Sequence, residues 1–272
     1  FLRLDAASRL VRIAVEGENL AAGHRLRVGV PLAEPARSAV ADMLYGPTTR
    51  ELRRYDPTQY PKEWPVATAP MHRYVSTGGV TLFARDRFEY EVSPRGVLFV
   101  TLFRSVSALS RDDLGARPGH AAWPMPTPGA EERGPFRAEL AIAPLALDEA
   151  MSPERWADAE QLAEEFHAPL GGWMLRYGIR VPDRVSGPAL DGAGLAFKAA
   201  KPREDGSGIV VRAVNVTGET VQGTWTWPVP LKRAYRTRLD ETVLEEIALD
   251  PPRRVVRFSA APREVVTIIV ET

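Results

Sequence analysis

Cysteine is missing from all 272 residues, which rules out disulfides, thiolate zinc centres and a cysteine nucleophile together and leaves the redox compartment open. Also missing is any apolar run approaching the roughly 20 residues that a membrane helix needs. The opening residues, "FLRLDAASRLVRIAVEG", alternate polar and apolar instead of building the apolar centre of a signal peptide. A soluble, cytoplasmic chain without a membrane partner is expected. There is no surplus of either charge: 35 basic residues balance 35 acidic ones, so nothing draws the molecule to a polyanion, and nucleic acid is not an expected partner. Phosphate-binding and acyl-transfer motifs (a P-loop, G-x-G-x-x-G, G-x-S-x-G) do not occur. Among the basic residues arginine dominates, and alanine and proline are frequent, a composition that suits a high-GC bacterial genome.

What is present is alternation. "LVRIAVEG" (10–17), "HRLRVGVPL" (24–32), "GVTLFARD" (79–86), "RFEYEVSP" (87–94), "GVLFVTLFRSV" (96–106) and "FRAELAIAP" (136–144) are rich in Val, Ile, Phe and Tyr and are bounded by turn residues, as strands require. A second set follows a turn-rich stretch at 180–194: "LAFKAAK", "GIVVRAVNV", "VQGTWTW", "KRAYRTRL", "RRVVRFSA" and "EVVTIIVE". Short strands about ten residues apart make an antiparallel sandwich. One segment breaks the period of two: after Ser152 as N-cap and Pro153 at the first helical position, Trp156, Ala159, Ala163 and Phe166 fall on one helical face, and Pro169, Gly171 and Gly172 end the helix. The expected fold is all-β with one short helix: a large sandwich over 1–178, then a small antiparallel sandwich over 179–272.

Chemistry-bearing residues are densest in "SRDDLGARPGH" (110–120). Asp112 and Asp113 invite comparison with a glycosidase carboxylate pair, held about 5–5.5 Å apart in retaining enzymes. Adjacent residues on an extended backbone point to opposite faces, so the two do not form such a pair by themselves. Two readings stay open: a turn held by side-chain-to-backbone hydrogen bonds, or an auxiliary binding loop. The four histidines, His24, His72, His120 and His167, lie almost fifty residues apart in unrelated contexts, so no metal site is expected from this chain. Trp225 and Trp227 share one strand face, whereas Trp64, Trp123, Trp156 and Trp173 fall in loops or helix; Trp123, just beyond the acidic loop, is the candidate sugar-stacking residue. Asn215 fits a glycosylation sequon, but "NVTG" reads better as a β-turn.

Six segments in order, "GHRLRVGVPL", "YPKEWPVATAPMHRYV", "LFARDRFEYEV", "VTLFRSVSALSRDDLGARPGHA", "AEEFHAPL" and "GSGIVVRAVNVTGETVQGTW", resemble the C-terminal β-rich region of glycoside hydrolase family 38, the α-mannosidases. The resemblance runs from about Gly23 to the end. It implies a mutarotase-like supersandwich followed by the small sandwich, in a retaining enzyme whose α/β barrel carries zinc and an aspartate nucleophile and is joined to a helical bundle. Neither barrel nor bundle is in this sequence, so the chain is expected to be inactive alone, with no cofactor of its own, no catalytic residue and α-mannoside as the ligand of the parent protein. By the same resemblance Arg111, Asp112, Asp113 and Arg117 would fix sugar hydroxyls or brace the cleft, although Pro118 stands where the eukaryotic pattern has glycine. A free-standing carbohydrate-binding module and a purely structural docking domain are the alternatives.

Overall fold

The computed structural model describes residues 1–52, 56–148, 151–168 and 186–272. They are all-β with a single α-helix, and they divide into two compact units, Phe1–Asp148 and Glu149–Thr272. The division expected between 178 and 179 lies outside the described residues, as do Trp173 and the expected helix stop at Pro169, Gly171 and Gly172.

In the first unit a seven-stranded antiparallel sheet runs in the order Leu2–Leu4, Val11–Asn19, Gly134–Ala143, Val80–Ala84, Tyr74–Thr77, Ser38–Ala41, Thr48–Glu51. A four-stranded sheet, Arg25–Pro31, Val97–Arg104, Glu89–Val92, Thr68–Pro70, faces it. Each of the six alternating segments is a strand here, and the alternation does what it predicts: Leu98 and Val100 point into the core while Phe99 points out, under the Arg27 guanidinium 4.2 Å from its ring centre. Val75, Leu82, Ala84, Ala138 and Leu140 of one sheet meet Tyr90, Leu98, Val100 and Leu102 of the other in one apolar cluster, which makes the pair a sandwich. The opposite face of the larger sheet is buried as well, at Val40, Tyr74, Phe83 and Ala141. There Ser76 and Thr81 donate their hydroxyls to the Leu145 carbonyl, at 3.3 and 2.6 Å.

The second unit is a smaller sandwich. Leu195–Pro202, Ile209–Asn215, Val265–Glu271, Arg233–Thr237 and Val243–Glu246 form one sheet, and Ala189–Asp191, Val221–Thr226 and Val255–Ala260 the other. Trp225 and Trp227 lie in the cluster between them with Val211, Ala213, Phe258 and Ile268, so both are core residues. Pro153–His167 is the helix, and the predicted face of Trp156, Ala159, Ala163 and Phe166 is buried. Ser152 occupies the N-cap position without a side-chain capping bond; its hydroxyl bonds instead to the Glu154 carboxylate, which holds that group below its usual range.

The sequence assigned this helix to the large sandwich, whereas its described contacts are with the small one. Glu160, buried on the helix, pairs with Lys198 at 2.9 Å, and Arg263 lies over the Trp156 ring at 5.2 Å. At Gly194, with φ of +80°, an added Cβ would sit 2.3 Å from Thr217 and 3.2 Å from Pro153, so only glycine lets the helix start come this close.

Candidate functional site

The loop that follows Val97–Arg104 is closed at its neck by backbone pairing. Leu109 N–H donates to Met125 O at 2.8 Å, Thr127 N–H to Ser107 O at 3.0 Å, and Ala108 bridges Pro126. Inside the neck, Ser110 is buried and its hydroxyl organises the turn. Its oxygen accepts the amides of Ala121 (3.0 Å) and Ala122 (3.2 Å), and it lies 3.3 Å from His120 Nδ1. His120 Nε2 in turn is 3.8 Å from Asp112, beyond hydrogen-bond distance. Serine, histidine and aspartate thus stand in a row without forming a nucleophilic triad, because the serine oxygen is buried and already accepts two N–H groups. Ser110, rather than either aspartate, holds the turn at the base of this loop.

Beyond this knot the chain makes a two-residue hairpin, Asp113–Leu114 against Arg117–Pro118. Arg111 grips Asp113 with two nitrogens, Nε at 2.8 Å and a terminal nitrogen on the second oxygen. That bidentate hydrogen bonding pushes Asp113 below the usual carboxylate range and raises Arg111. Both side chains are more than half exposed, so the pair orders the loop more than it stabilises the fold. Asp112 points to solvent beside His120. Arg117 is half-buried, and its Nε is buried without a hydrogen-bond partner among the described residues. Trp123 is 78% exposed, and Leu109, Leu114 and Met125 are exposed near it in the chain.

Sequence reasoning missed a cleft of about 740 Å³ at one end of the four-stranded sheet. Its walls come from the turns at 32–36 and 92–96, from Leu52, and from Trp64, Pro65 and Ala67. The signal for Trp64 was in the sequence: it sits among prolines in "YPKEWPVATAP", where no strand alternation can turn it inward. Its amide donates to the Ala116 carbonyl at 2.7 Å, which ties the cleft wall to the hairpin tip.

The remaining candidates have structural employment. Asn215 is fully buried among backbone carbonyls, as a turn asparagine. The four histidines sit in four surroundings: His24 edge-on to Phe103, His72 3.5 Å from Asp42, His120 at the Ser110 knot, and His167 bonded to its own helix at Ala163 O. Among the described residues no three His, Asp or Glu side chains converge to hold a metal, and no helix is long and apolar enough to cross a membrane.

Residues 194–268 match the model of the glycosyl hydrolases family 38 C-terminal beta sandwich domain. Over 99% of its length the chain is 25% identical to a protein of Halalkalibacterium halodurans named "Putative mannosylglycerate hydrolase", of which it spans 28%. An alpha-mannosidase from Enterococcus faecalis V583 superposes with a TM-score of 0.76 at 22% identity, over 98% of this chain and 28% of that one. A glycosyl hydrolase family 38 protein from Enterococcus faecalis gives 0.75 at 21%, over 98% and 29%. At these identities the two structures speak for the fold. The chain spans less than a third of the length of these relatives.

Proposed function

We propose that this chain, with the sequence and fold of the C-terminal β region of glycosyl hydrolase family 38, is the non-catalytic part of a retaining α-mannosidase of the cytoplasm. In this reading a catalytic α/β barrel and a helical bundle belong to the same polypeptide, and the β region supports the barrel and lines its cleft with the 110–123 loop. In the same reading the barrel holds the zinc ion. The observation that carries the reading is an exposed polar loop that is already ordered: the Ser110 knot fixes its base and the Arg111–Asp113 pair fixes its arm. A guanidinium held by one carboxylate keeps N–H groups free for sugar hydroxyls and loses little freedom on binding, and the exposed Trp123 indole offers a flat face to a pyranose. Nucleophile and acid come from elsewhere, so the 272-residue chain alone is expected to give no turnover of aryl α-mannosides, with or without zinc. Turnover that survives stringent purification would sink that part of the reading.

In the polypeptide that includes the barrel, Arg111→Ala and Trp123→Ala should each lower kcat/KM for an aryl α-mannoside by about 10- to 100-fold with the fold unchanged, the signature of lost substrate contacts. Unchanged kinetics would reject the cleft-lining role. One observation favours a docking role instead: Leu109, Leu114, Trp123 and Met125 leave large apolar side chains exposed close together in sequence. A Trp123→Ala variant that weakens the association of barrel and β region while sparing kinetics would select that alternative.

A further inference from the structure

The 740 Å³ cleft falls within the roughly 300–1,000 Å³ of small-molecule sites, and its lining is uneven in a telling way. Leu32, Leu52 and Val92 are half-buried in its floor, and Trp64 forms a wall with its side chain 45% exposed. Two charged residues of opposite sign, Glu34 and Arg95, also line it. Neither side chain has a hydrogen-bond or ion-pair partner among the described residues. This contrasts with the neighbouring sheet surface, where Arg25, Arg27, Glu89 and Glu91 are all engaged with one another.

An aliphatic ligand would leave both charges idle, and an anion would be opposed by Glu34. A pyranose answers all the features together: its C–H face covers the indole and its hydroxyls donate to a carboxylate and accept from a guanidinium. We infer that the cleft at Trp64 is a saccharide-binding site, with Trp64 as the stacking surface and Glu34 and Arg95 as hydroxyl partners; that the saccharide is a mannoside rests on the function proposed above. The bond from the Trp64 amide to Ala116 gives the inference its second support. It couples this wall to the hairpin of the 110–120 loop, so both surfaces keep a fixed relation within one unit and suit a chain of more than one sugar.

The test uses the 272-residue chain and α-mannobiose, with the indole N–H resonances followed by NMR. The Trp64 resonance should move saturably in the millimolar range while those of Trp225 and Trp227, sealed in the other sandwich, stay still. Arg95→Ala and Glu34→Gln should each weaken the dissociation constant by about tenfold. Because both side chains are exposed, these variants should keep the remaining resonances in place. A Trp64 resonance that does not move, or one that moves equally in the Arg95→Ala and Glu34→Gln variants, overturns the inference. Maltose binding as tightly as mannobiose leaves the saccharide cleft standing and removes the mannoside assignment, while the aryl mannoside kinetics of the barrel-bearing protein judge the proposed function separately.

Discussion

Replacing Asn215 by alanine is expected to destabilise the second unit by about 3–4 kcal/mol, a large loss for a single polar side chain. Asn215 is 0% exposed, and its amide nitrogen donates to the carbonyls of Glu219 (2.6 Å), Ala260 (3.1 Å) and Ala261 (2.9 Å). Its oxygen accepts the Thr217 amide (2.9 Å) and hydroxyl (2.7 Å). One side chain therefore satisfies backbone groups from two separate turns, one after Ile209–Asn215 and one after Val255–Ala260. Alanine would leave several of these groups buried and unpaired, each at a cost of about 1–3 kcal/mol, partly offset because the Thr217 hydroxyl can turn its one proton to Glu219 O, 3.1 Å away. Asn215→Asp should fare no better, since it removes both donors and buries a charge. Urea unfolding read through the fluorescence of buried Trp225 and Trp227 reports on this unit. A loss below about 1 kcal/mol would show that water replaces the side chain at this junction.

Asp42→Ala should cost the first unit a comparable amount, about 3–5 kcal/mol, by breaking an ion pair that is almost wholly shielded from water. The Asp42 side chain is 1% exposed and that of Arg73 is 11% exposed; Arg73 Nε lies 2.7 Å from one carboxylate oxygen and a terminal nitrogen 3.2 Å from the other. The Arg73 amide also donates to Asp42. These residues flank the pairing of Ala41 with Val75, so the ion pair fixes the register where Ser38–Ala41 and Tyr74–Thr77 meet. A double replacement, Asp42→Leu with Arg73→Met, should recover most of the loss, because it removes both charges and keeps the volume. Hydrogen exchange at the Tyr74 and Val75 amides would follow the effect within this unit. Exchange in Asp42→Ala that matches the unsubstituted protein would mean the guanidinium finds water or another partner.

Long segments such as Val255–Ala260 were readable as strands because one face is buried, and a period of two is the direct record of that burial; Val80–Ala84 and Val265–Glu271 are buried almost throughout and were readable from their β-branched and aromatic content. Tyr74–Thr77 was not readable for the complementary reason. All four of its residues are buried, so the sheet is covered on both faces and leaves no alternation. Short strands such as Ser38–Ala41, Thr68–Pro70 and Ala189–Asp191 carry too few residues to show any period. Within the candidate site, the crowding of Arg111, Asp112, Asp113, Arg117 and Trp123 was visible in the sequence. That Arg111 takes Asp113 and leaves Asp112 to solvent was not.

By itself the sequence determined the class of fold, the position of the helix and its buried face, the turn character of Asn215, and a resemblance carried by six segments in order. Each of these depends on residues close together in the chain, where backbone sterics and the spacing of apolar side chains act directly. The tertiary structure alone decided the rest: that Asn215 joins two turns 45 residues apart in the chain, that Asp42 meets Arg73, that the helix rests on Lys198 and Arg263 of the small sandwich, and that Trp64 opens onto a cleft. Those partnerships are made between distant segments, and strand register and sheet order decide which segments meet.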